Sequence, residues 1–411
     1  MYVFTPPPSK SLTNRALILA ALAEGKSVIE NFADCDDTKL MVKALRKLGI
    51  KIIKKNNVVE VIGLAGSFSR TGLTISCGNA GTTFRFLTAL LALNNGTITL
   101  DGSKRMRQRP IGNLVKSLKQ AGIRITSNKN FPPLKIYKSK VIGGRISINS
   151  SESSQFLSAL LMILPFMRKN TEIHVEGELV SKPYVDMTLE MQKQFGVNVR
   201  NIEYKKFVLA EKNFYGATKI TIEPDASSAS YFFATAAVAK KKITIHGLTK
   251  ESNQADIKFI GVLKRMGCKI EIRNSEIVLT GKRLKGISID LNSSPDIVQT
   301  LAVTACFAKG KTKIRNVANL RLKETDRLKA LSTELRKIGA YVNETEDGLE
   351  ITPGKLRAAE ISTYNDHRMA MSFAIAKLVN PKIKILNKNC VKKSFPNFWN
   401  EFSNMKRIYK L

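Results

Sequence analysis

A glycine that ends an amphipathic helix returns at a near-constant interval along this chain. ALRKLGI closes at Gly49, SLKQAGI at Gly122, MQKQFGV at Gly196, VLKRMGC at Gly267 and ELRKIGA at Gly339, with intervals of 73, 74, 71 and 72 residues. A sixth copy would end near the C-terminus. A glycine just past a helix takes the left-handed conformation that caps the last turn at no Cβ penalty. A second marker keeps the same beat: a small-apolar helix, a short turn, then a strand. It runs over 16–30, 86–100, 156–175, 231–246, 297–315 and 370–386. A recurring unit of this kind is one supersecondary module that buries its apolar face against its neighbours.

At 411 residues the chain exceeds the size at which a single core stops growing, roughly 250–300 residues, so two domains are expected and six units divide as three plus three. No Pro- or Ser-rich linker separates them. EPDASSAS at Asp225, which opens the fourth unit, is the expected boundary. The longest apolar stretch, FLSALLMILPFM, falls short of the roughly 20 residues of a spanning helix, and MYVFTPPPSKS lacks the plan of a signal peptide. Cys35, Cys77, Cys268, Cys306 and Cys390 are scattered and form no CxxC pair, so we expect reduced thiols in a cytoplasmic protein, and no metal. The net charge of +34 points to anionic partners. Because the lysines are spread over every segment rather than gathered in a stripe, small anions are expected and nucleic acid is not.

The segments before the apolar helices carry the chemistry. They read SKSLTNR, GNAGTTFR, SESSQ, DASSAS, SPD and NDHR. A helix N-terminus presents unpaired N–H groups and partial positive charge, so each is a candidate anion site. Lys10 sits at a helix start, where a cation is disfavoured unless an anion is near; a surface lysine beside an N-cap serine is the plainer reading. GNAGT lets backbone N–H groups approach an anion closely, without the spacing of a Walker or dinucleotide loop. KRMRQRP (104–110) is a basic turn before a Pro-started helix. In RLKETDR (321–327) a helical reading puts Lys323 and Arg327 one turn apart, with Glu324 a candidate proton donor; a salt-bridged helix start is the alternative. Asp296 precedes an otherwise uncharged apolar helix, and taken alone it reads as an N-cap. His367 is the one histidine outside a strand-like setting; His174 and His246 read as structural.

In combination these segments closely resemble the EPSP synthases, the 3-phosphoshikimate 1-carboxyvinyltransferases. The matching motifs are PSKSLTNRALILAALA, GNAGTTFRFL, RMRQRPIGNLVKSL, SSQFLSALLM, LVSKPYVDMTL, PDASSASYF, RLKETDRL, NDHRMAMSFA and VKKSFPNFW, in the family's order from residue 8 to 399. The resemblance implies an α/β, two-domain enolpyruvyl transferase-like fold of six βαβαββ repeats, three per domain. It places 9–224 in the first domain and 1–8 with 225–411 in the second, with the active site in the cleft between them. The implied reaction moves the enolpyruvyl group of phosphoenolpyruvate to the 5-hydroxyl of shikimate 3-phosphate and releases phosphate, without metal or organic cofactor, in a monomer. Lys10, Ser11, Arg15, Ser153, Ser154, Gln155, Ser181, Asp296, Asn319 and Lys323 would hold shikimate 3-phosphate. Lys10, Gly81, Arg109, Gln155, Arg327, Arg368 and Lys393 would hold phosphoenolpyruvate. Asp296 would accept the 5-hydroxyl proton and Glu324 protonate the methylene carbon, with Lys10 also catalytic; Asn79, Arg85, Tyr184 and His367 line the site.

Two positions depart from the family pattern: Pro7-Pro8 replaces the usual Pro-Gly, and Phe86 stands where Pro is common. The resemblance also implies that glyphosate competes with phosphoenolpyruvate beside Gly81, where the missing Cβ leaves room. Within the same fold, the UDP-N-acetylglucosamine enolpyruvyl transferases carry a reactive cysteine in the loop before their Arg-Pro motif. SKRMRQRP has none. An RNA 3′-phosphate cyclase using His367, or a basic scaffold without activity, are the other readings.

Overall fold

The repeat becomes one wiring used again and again in the computed structural model, which describes residues 2–410. The copy from Leu73 to Ile136 shows it whole. Strand Leu73–Ser76 leads into helix Gly81–Leu90, and strand Ile98–Asp101 pairs parallel with the first. Helix Gly112–Gln120 follows, and the hairpin Ile125–Asn128 and Phe131–Ile136 adds two antiparallel strands. The hairpin's second strand lies against Ile98–Asp101, so the sheet order is first, second, fourth, third. The copies beginning at Arg145 and Ser288 repeat that order.

Two copies take their first strand from far along the chain. Strand Glu24–Glu30, after helix Lys10–Leu22, pairs parallel with Lys219–Thr221. Strand Lys242–His246, after helix Ala226–Val238, pairs parallel with Tyr2–Phe4. The opening strand is only three residues long, yet Tyr2 and Phe4 are buried, and the Phe4 ring stacks on Phe232 at 4.0 Å between centroids. The sixth copy keeps two parallel strands, Glu360–Ile361 and Lys384–Ile385, and both helices, with no hairpin among the described residues.

The chain divides into two compact units, one of Pro8–Ile222 and one joining the residues up to Pro7 with those from Glu223 onward. Each has its own apolar core. The first helix of each copy is buried nearly all round: every residue from Leu12 to Leu22 is. The second helix is amphipathic and ends at its glycine, with φ of 93° at Gly49, 88° at Gly122, 86° at Gly196, 112° at Gly267 and 101° at Gly339. At Gly49 the glycine N–H reaches the Arg46 carbonyl at 3.0 Å and the next N–H, of Ile50, reaches Leu45 at 3.2 Å. The other four ends form the same pair of bonds, which satisfies the last carbonyls of each helix.

Candidate active site

In the unit Pro8–Ile222, Ser9 caps helix Lys10–Leu22 by accepting from the Leu12 N–H. That places Lys10 in the first turn. Its Nζ lies 3.1 Å from Asp37 Oδ2, in the first turn of helix Asp36–Lys47, so an anion does stand at the cation the sequence singled out. Ser11 is half-buried beside it, and its carbonyl accepts from Arg15 Nη1 at 3.0 Å. Arg15 is 1% exposed, and it also donates from Nε to Thr188 Oγ1 at 2.8 Å and from Nη2 to the Tyr184 carbonyl at 2.8 Å. Burial draws its pKa down to about 10, because none of these three acceptors is charged.

GNAGT runs from a turn at Gly78 and Asn79 into the helix that starts at Gly81. The turn is tied to the loop carrying RMRQRP, since the Ser103 N–H donates to the Gly78 carbonyl at 2.8 Å. Arg109 from that loop is buried directly beside Gly81: a Cβ on Gly81 would lie 2.6 Å from both terminal nitrogens. The room that the sequence reading left beside Gly81 is therefore filled by a guanidinium. One turn along, Arg85 Nη1 donates to Gln155 Oε1 at 2.7 Å, and Gln155 Nε2 donates to Thr82 Oγ1 at 3.1 Å. Ser153 caps helix Ser154–Ile163 from the Gln155 N–H, and Ser154 is buried behind it. Ser181, left-handed at φ 56°, starts helix Lys182–Gln194, which brings Tyr184 and Thr188 to Arg15.

The other unit gathers the acids and the remaining arginines. Arg327, 1% exposed, is the first residue of helix Arg327–Lys337. Its Nε reaches Asp366 Oδ2 at 2.7 Å, Nη2 reaches Glu324 Oε2 at 2.9 Å and Nη1 reaches Asp296 Oδ1 at 3.0 Å. The second oxygen of Asp296 takes Arg368 Nη2 at 2.7 Å, and Lys393 Nζ stands 3.8 Å from Glu324 Oε1. Burial alone would raise the Asp296 pKa. The charges of Arg368, Arg327 and Lys323 outweigh it and hold the group well below the usual carboxylate range. Asp366 caps helix His367–Val379 through the Arg368 N–H, and buried His367 has Nδ1 3.6 Å from Asp366 Oδ1. Buried Asn319 lies in the short turn Ala318–Leu322.

Two local expectations change. Lys323 and Arg327 do not share a helix: Lys323 is extended after the turn, and Asp326 starts a new helix by capping the Lys329 N–H. Arg321 fixes the break through Asp326 at 3.1 Å, Glu344 at 2.7 Å and the Thr345 carbonyl at 2.8 Å. Nor is Asp296 an N-cap. It lies inside the turn Pro295–Ile297, preceded by Ser294, and its carboxylate is committed to two arginines. His174 and His246 sit in strands paired to Glu172 at 2.9 Å and Glu276 at 3.1 Å.

Several residues at these clusters were not singled out in the sequence: Asp37, Thr188, Ser227, Asp256 and Asp366. Asp256, 3% exposed, holds the Ser227 hydroxyl, whose oxygen lies 3.3 Å from Arg368 Nη2. Burial and the nearby Asp296 push the Asp256 pKa up to about 7. Asp37 and Asp366 stand in the first turn or cap of a helix, where an acid is so common that its position gives no sign of the basic partner.

The EPSP synthase (3-phosphoshikimate 1-carboxyvinyltransferase) family model matches residues 3–402. Among curated proteins, a 3-phosphoshikimate 1-carboxyvinyltransferase from Shewanella sp. (strain MR-7) is 46% identical over 407 residues, covering 97% of this chain and 96% of its own. One from Haemophilus influenzae (strain PittGG) is 47% identical over 408 residues, covering 96% and 94%. Among solved structures, EPSP synthase from Acinetobacter baumannii superposes with a TM-score of 0.81 at 26% identity, covering 98% of this chain and 95% of that one. The enolpyruvyl transferase NikO from Streptomyces tendae shares the fold, with a TM-score of 0.78 at 15% identity over 98% and 94%. Sequence similarity over nearly the whole length and a shared fold agree: the chain belongs to the EPSP synthase family, the 3-phosphoshikimate 1-carboxyvinyltransferases.

Proposed function

We propose that this chain, as a 3-phosphoshikimate 1-carboxyvinyltransferase, runs its addition–elimination on Asp296 and Glu324, with anions held by the arginines around them. The observation that carries the assignment is the cluster in which Arg327 joins Asp296, Glu324 and Asp366 while Arg368 shares Asp296. An acid and a base on one guanidinium suit a reaction that must protonate a carbon and deprotonate a hydroxyl within a few ångströms. Asp296 takes the proton of the 5-hydroxyl as its oxygen bonds to C2 of phosphoenolpyruvate, and Glu324 gives a proton to C3. The resulting phospho-ketal loses a methyl proton as its C–O bond to phosphate breaks, restoring the enol double bond and freeing phosphate. The same two groups, now in opposite protonation states, serve the second half. Arg327, Arg368, Lys393, Arg109 and Lys10 neutralise the anions with directed N–H bonds.

Ser11, Arg15, Ser153, Ser154, Gln155, Ser181, Asn319, Lys323 and Asp296 are the ligands of shikimate 3-phosphate in this reading. Unpaired cysteines, four of the five buried, support a reducing cytoplasm, and the enzyme is read as a monomer. The test is phosphate release from phosphoenolpyruvate with shikimate 3-phosphate or UDP-N-acetylglucosamine as acceptor. Release with the first alone supports the proposal; release only with the second, or with neither, refutes it.

A further inference from the structure

Two arginines in the unit Pro8–Ile222 lie over phenylalanine rings, and the repeat relates the two pairs. The guanidinium carbon of Arg15 is 5.3 Å from the centre of the Phe86 ring, and that of Arg85 is 5.2 Å from the centre of Phe156. Arg85 follows Arg15 by 70 residues, and Phe156 follows Phe86 by the same 70. In each case an arginine on the first helix of one copy reaches the ring on the first helix of the next. The third copy has Gln155 at the arginine position, and the first copy has Ala16 at the ring position, so the device is built twice and not three times.

Arg15 needs such a device. It is 1% exposed, and the three acceptors it touches, Ser11, Thr188 and Tyr184, are all neutral. A carboxylate would stabilise the buried cation, as three of them do around Arg327, but it would neutralise the charge and compete with an incoming anion. A ring face stabilises the cation through its quadrupole and leaves the formal charge in place. Three of the five N–H groups serve those acceptors, which leaves two, the number a bidentate carboxylate or phosphate takes.

We propose that Phe86 is the positioning residue for Arg15, holding its guanidinium flat and charged for the anionic end of shikimate 3-phosphate. Phe156 does the same for Arg85 and, through it, for Gln155. The proposal rests on the reading that Arg15 binds this substrate, and the experiment separates the two. KM for each substrate and kcat are measured for Phe86→Leu, Phe86→Tyr, Arg15→Lys and the Phe86→Leu/Arg15→Lys pair, with thermal unfolding alongside. Phe86→Leu should raise KM for shikimate 3-phosphate roughly tenfold, about 1.4 kcal/mol. KM for phosphoenolpyruvate should move less than about twofold, and Phe86→Tyr, which keeps the ring, should stay near wild type. In the pair, Phe86→Leu should add less than it does alone, because both changes remove one interaction. If Arg15→Lys raises KM and Phe86→Leu does not, positioning by the ring is wrong while the substrate reading stands. A KM unchanged in Arg15→Lys overturns the substrate reading itself. If Phe86→Tyr is impaired like Phe86→Leu, or both substrates weaken alike, Phe86 is ordinary packing and the proposal fails.

Discussion

Gly81→Ala adds one methyl, and the structure says what that methyl meets. Gly81 is not among the residues with positive φ, so alanine brings no backbone strain there and the effect is one of space. The new Cβ would stand 2.6 Å from both terminal nitrogens of Arg109 and 2.7 Å from its central carbon, where ordinary contacts begin at 3.4 Å. The guanidinium must withdraw by roughly 1 Å, and Arg109 is 4% exposed, so its neighbours must yield as well. A displacement of that size in a substrate-positioning group lowers rates on the order of 10²-fold. We therefore expect kcat/KM for phosphoenolpyruvate to fall by about 10- to 100-fold. If the methyl only entered space that the inhibitor uses, glyphosate would lose more than the substrate. With the guanidinium in that space, both anions lose one ligand, and glyphosate's inhibition constant should rise by a comparable factor. The assay is steady-state kinetics with competitive glyphosate inhibition on the wild type, Gly81→Ala, Arg109→Lys and the double variant. Action through Arg109 makes the double variant better than the product of the singles by roughly tenfold. Full multiplicativity, or an alanine variant that loses glyphosate and keeps its substrate, would refute the reasoning.

Asp296→Asn and Glu324→Gln should each lower kcat about 10²–10⁴-fold, the usual worth of a positioned proton donor or acceptor, with smaller changes in substrate affinity; near-normal kcat in either variant would remove that residue from the proton transfers. Raising ionic strength should raise KM for phosphoenolpyruvate more than it changes kcat, because the +34 charge steers anions over a range of about 8–10 Å; a KM flat with salt would show that the excess charge serves something other than capture. Asp256 binds its proton more tightly folded, at about 7, than at the ordinary 3.8, so its contribution to stability is present at low pH and is lost as pH rises through 7. Asp256→Asn should flatten that part of the decline in thermal unfolding between about pH 4 and 7, and an unchanged slope there would contradict it.

The six-fold beat was legible because each repeat states its own punctuation, whereas its βαβαββ wiring was expected only from the resemblance. A capping glycine fixes where the second helix stops, and Ser9, Ser153 and Asp225 fix where first helices start. The strands borrowed by the first and fourth copies were not legible. Tyr2–Phe4 and Lys219–Thr221 are three residues each, and their partners lie more than a hundred residues away, which periodicity cannot report. The chemical residue types were legible motif by motif, whereas their pairing was not. A salt bridge such as Arg327–Glu324 lies within RLKETDR and within the alternative reading of it, but nothing there says that Arg327 would also collect Asp296 and Asp366, because those partners come from two other segments. Phe86 looked like a departure from pattern; its ring under Arg15 gives it a physical reason.

The two buried arginines at the heart of the proposal, Arg15 and Arg327, are prepared in opposite ways, and the difference bears on when Asp296 becomes a base. Arg15 has neutral acceptors and a ring, so an anion can be added to it without displacing anything charged. Arg327 and Arg368 already hold Asp296, and while they do its pKa stays well below the usual carboxylate range, where it is a weak proton acceptor. Phosphoenolpyruvate, if it takes those arginines as proposed, must compete with Asp296. As their attraction is redirected to the substrate, the burial that favours protonation is left less opposed, and the Asp296 pKa rises. The base would then gain strength when its reaction partner arrives. We expect the carboxyl carbon of Asp296, followed by carbon-13 NMR and assigned by its loss in Asp296→Asn, to titrate at higher pH with phosphoenolpyruvate bound than in the free enzyme. Phosphoenolpyruvate alone suffices, since turnover needs the second substrate. An unchanged or lowered midpoint would mean that the substrate does not draw these arginines away from Asp296, and the ion pairs seen here would be scaffolding rather than a held-back base.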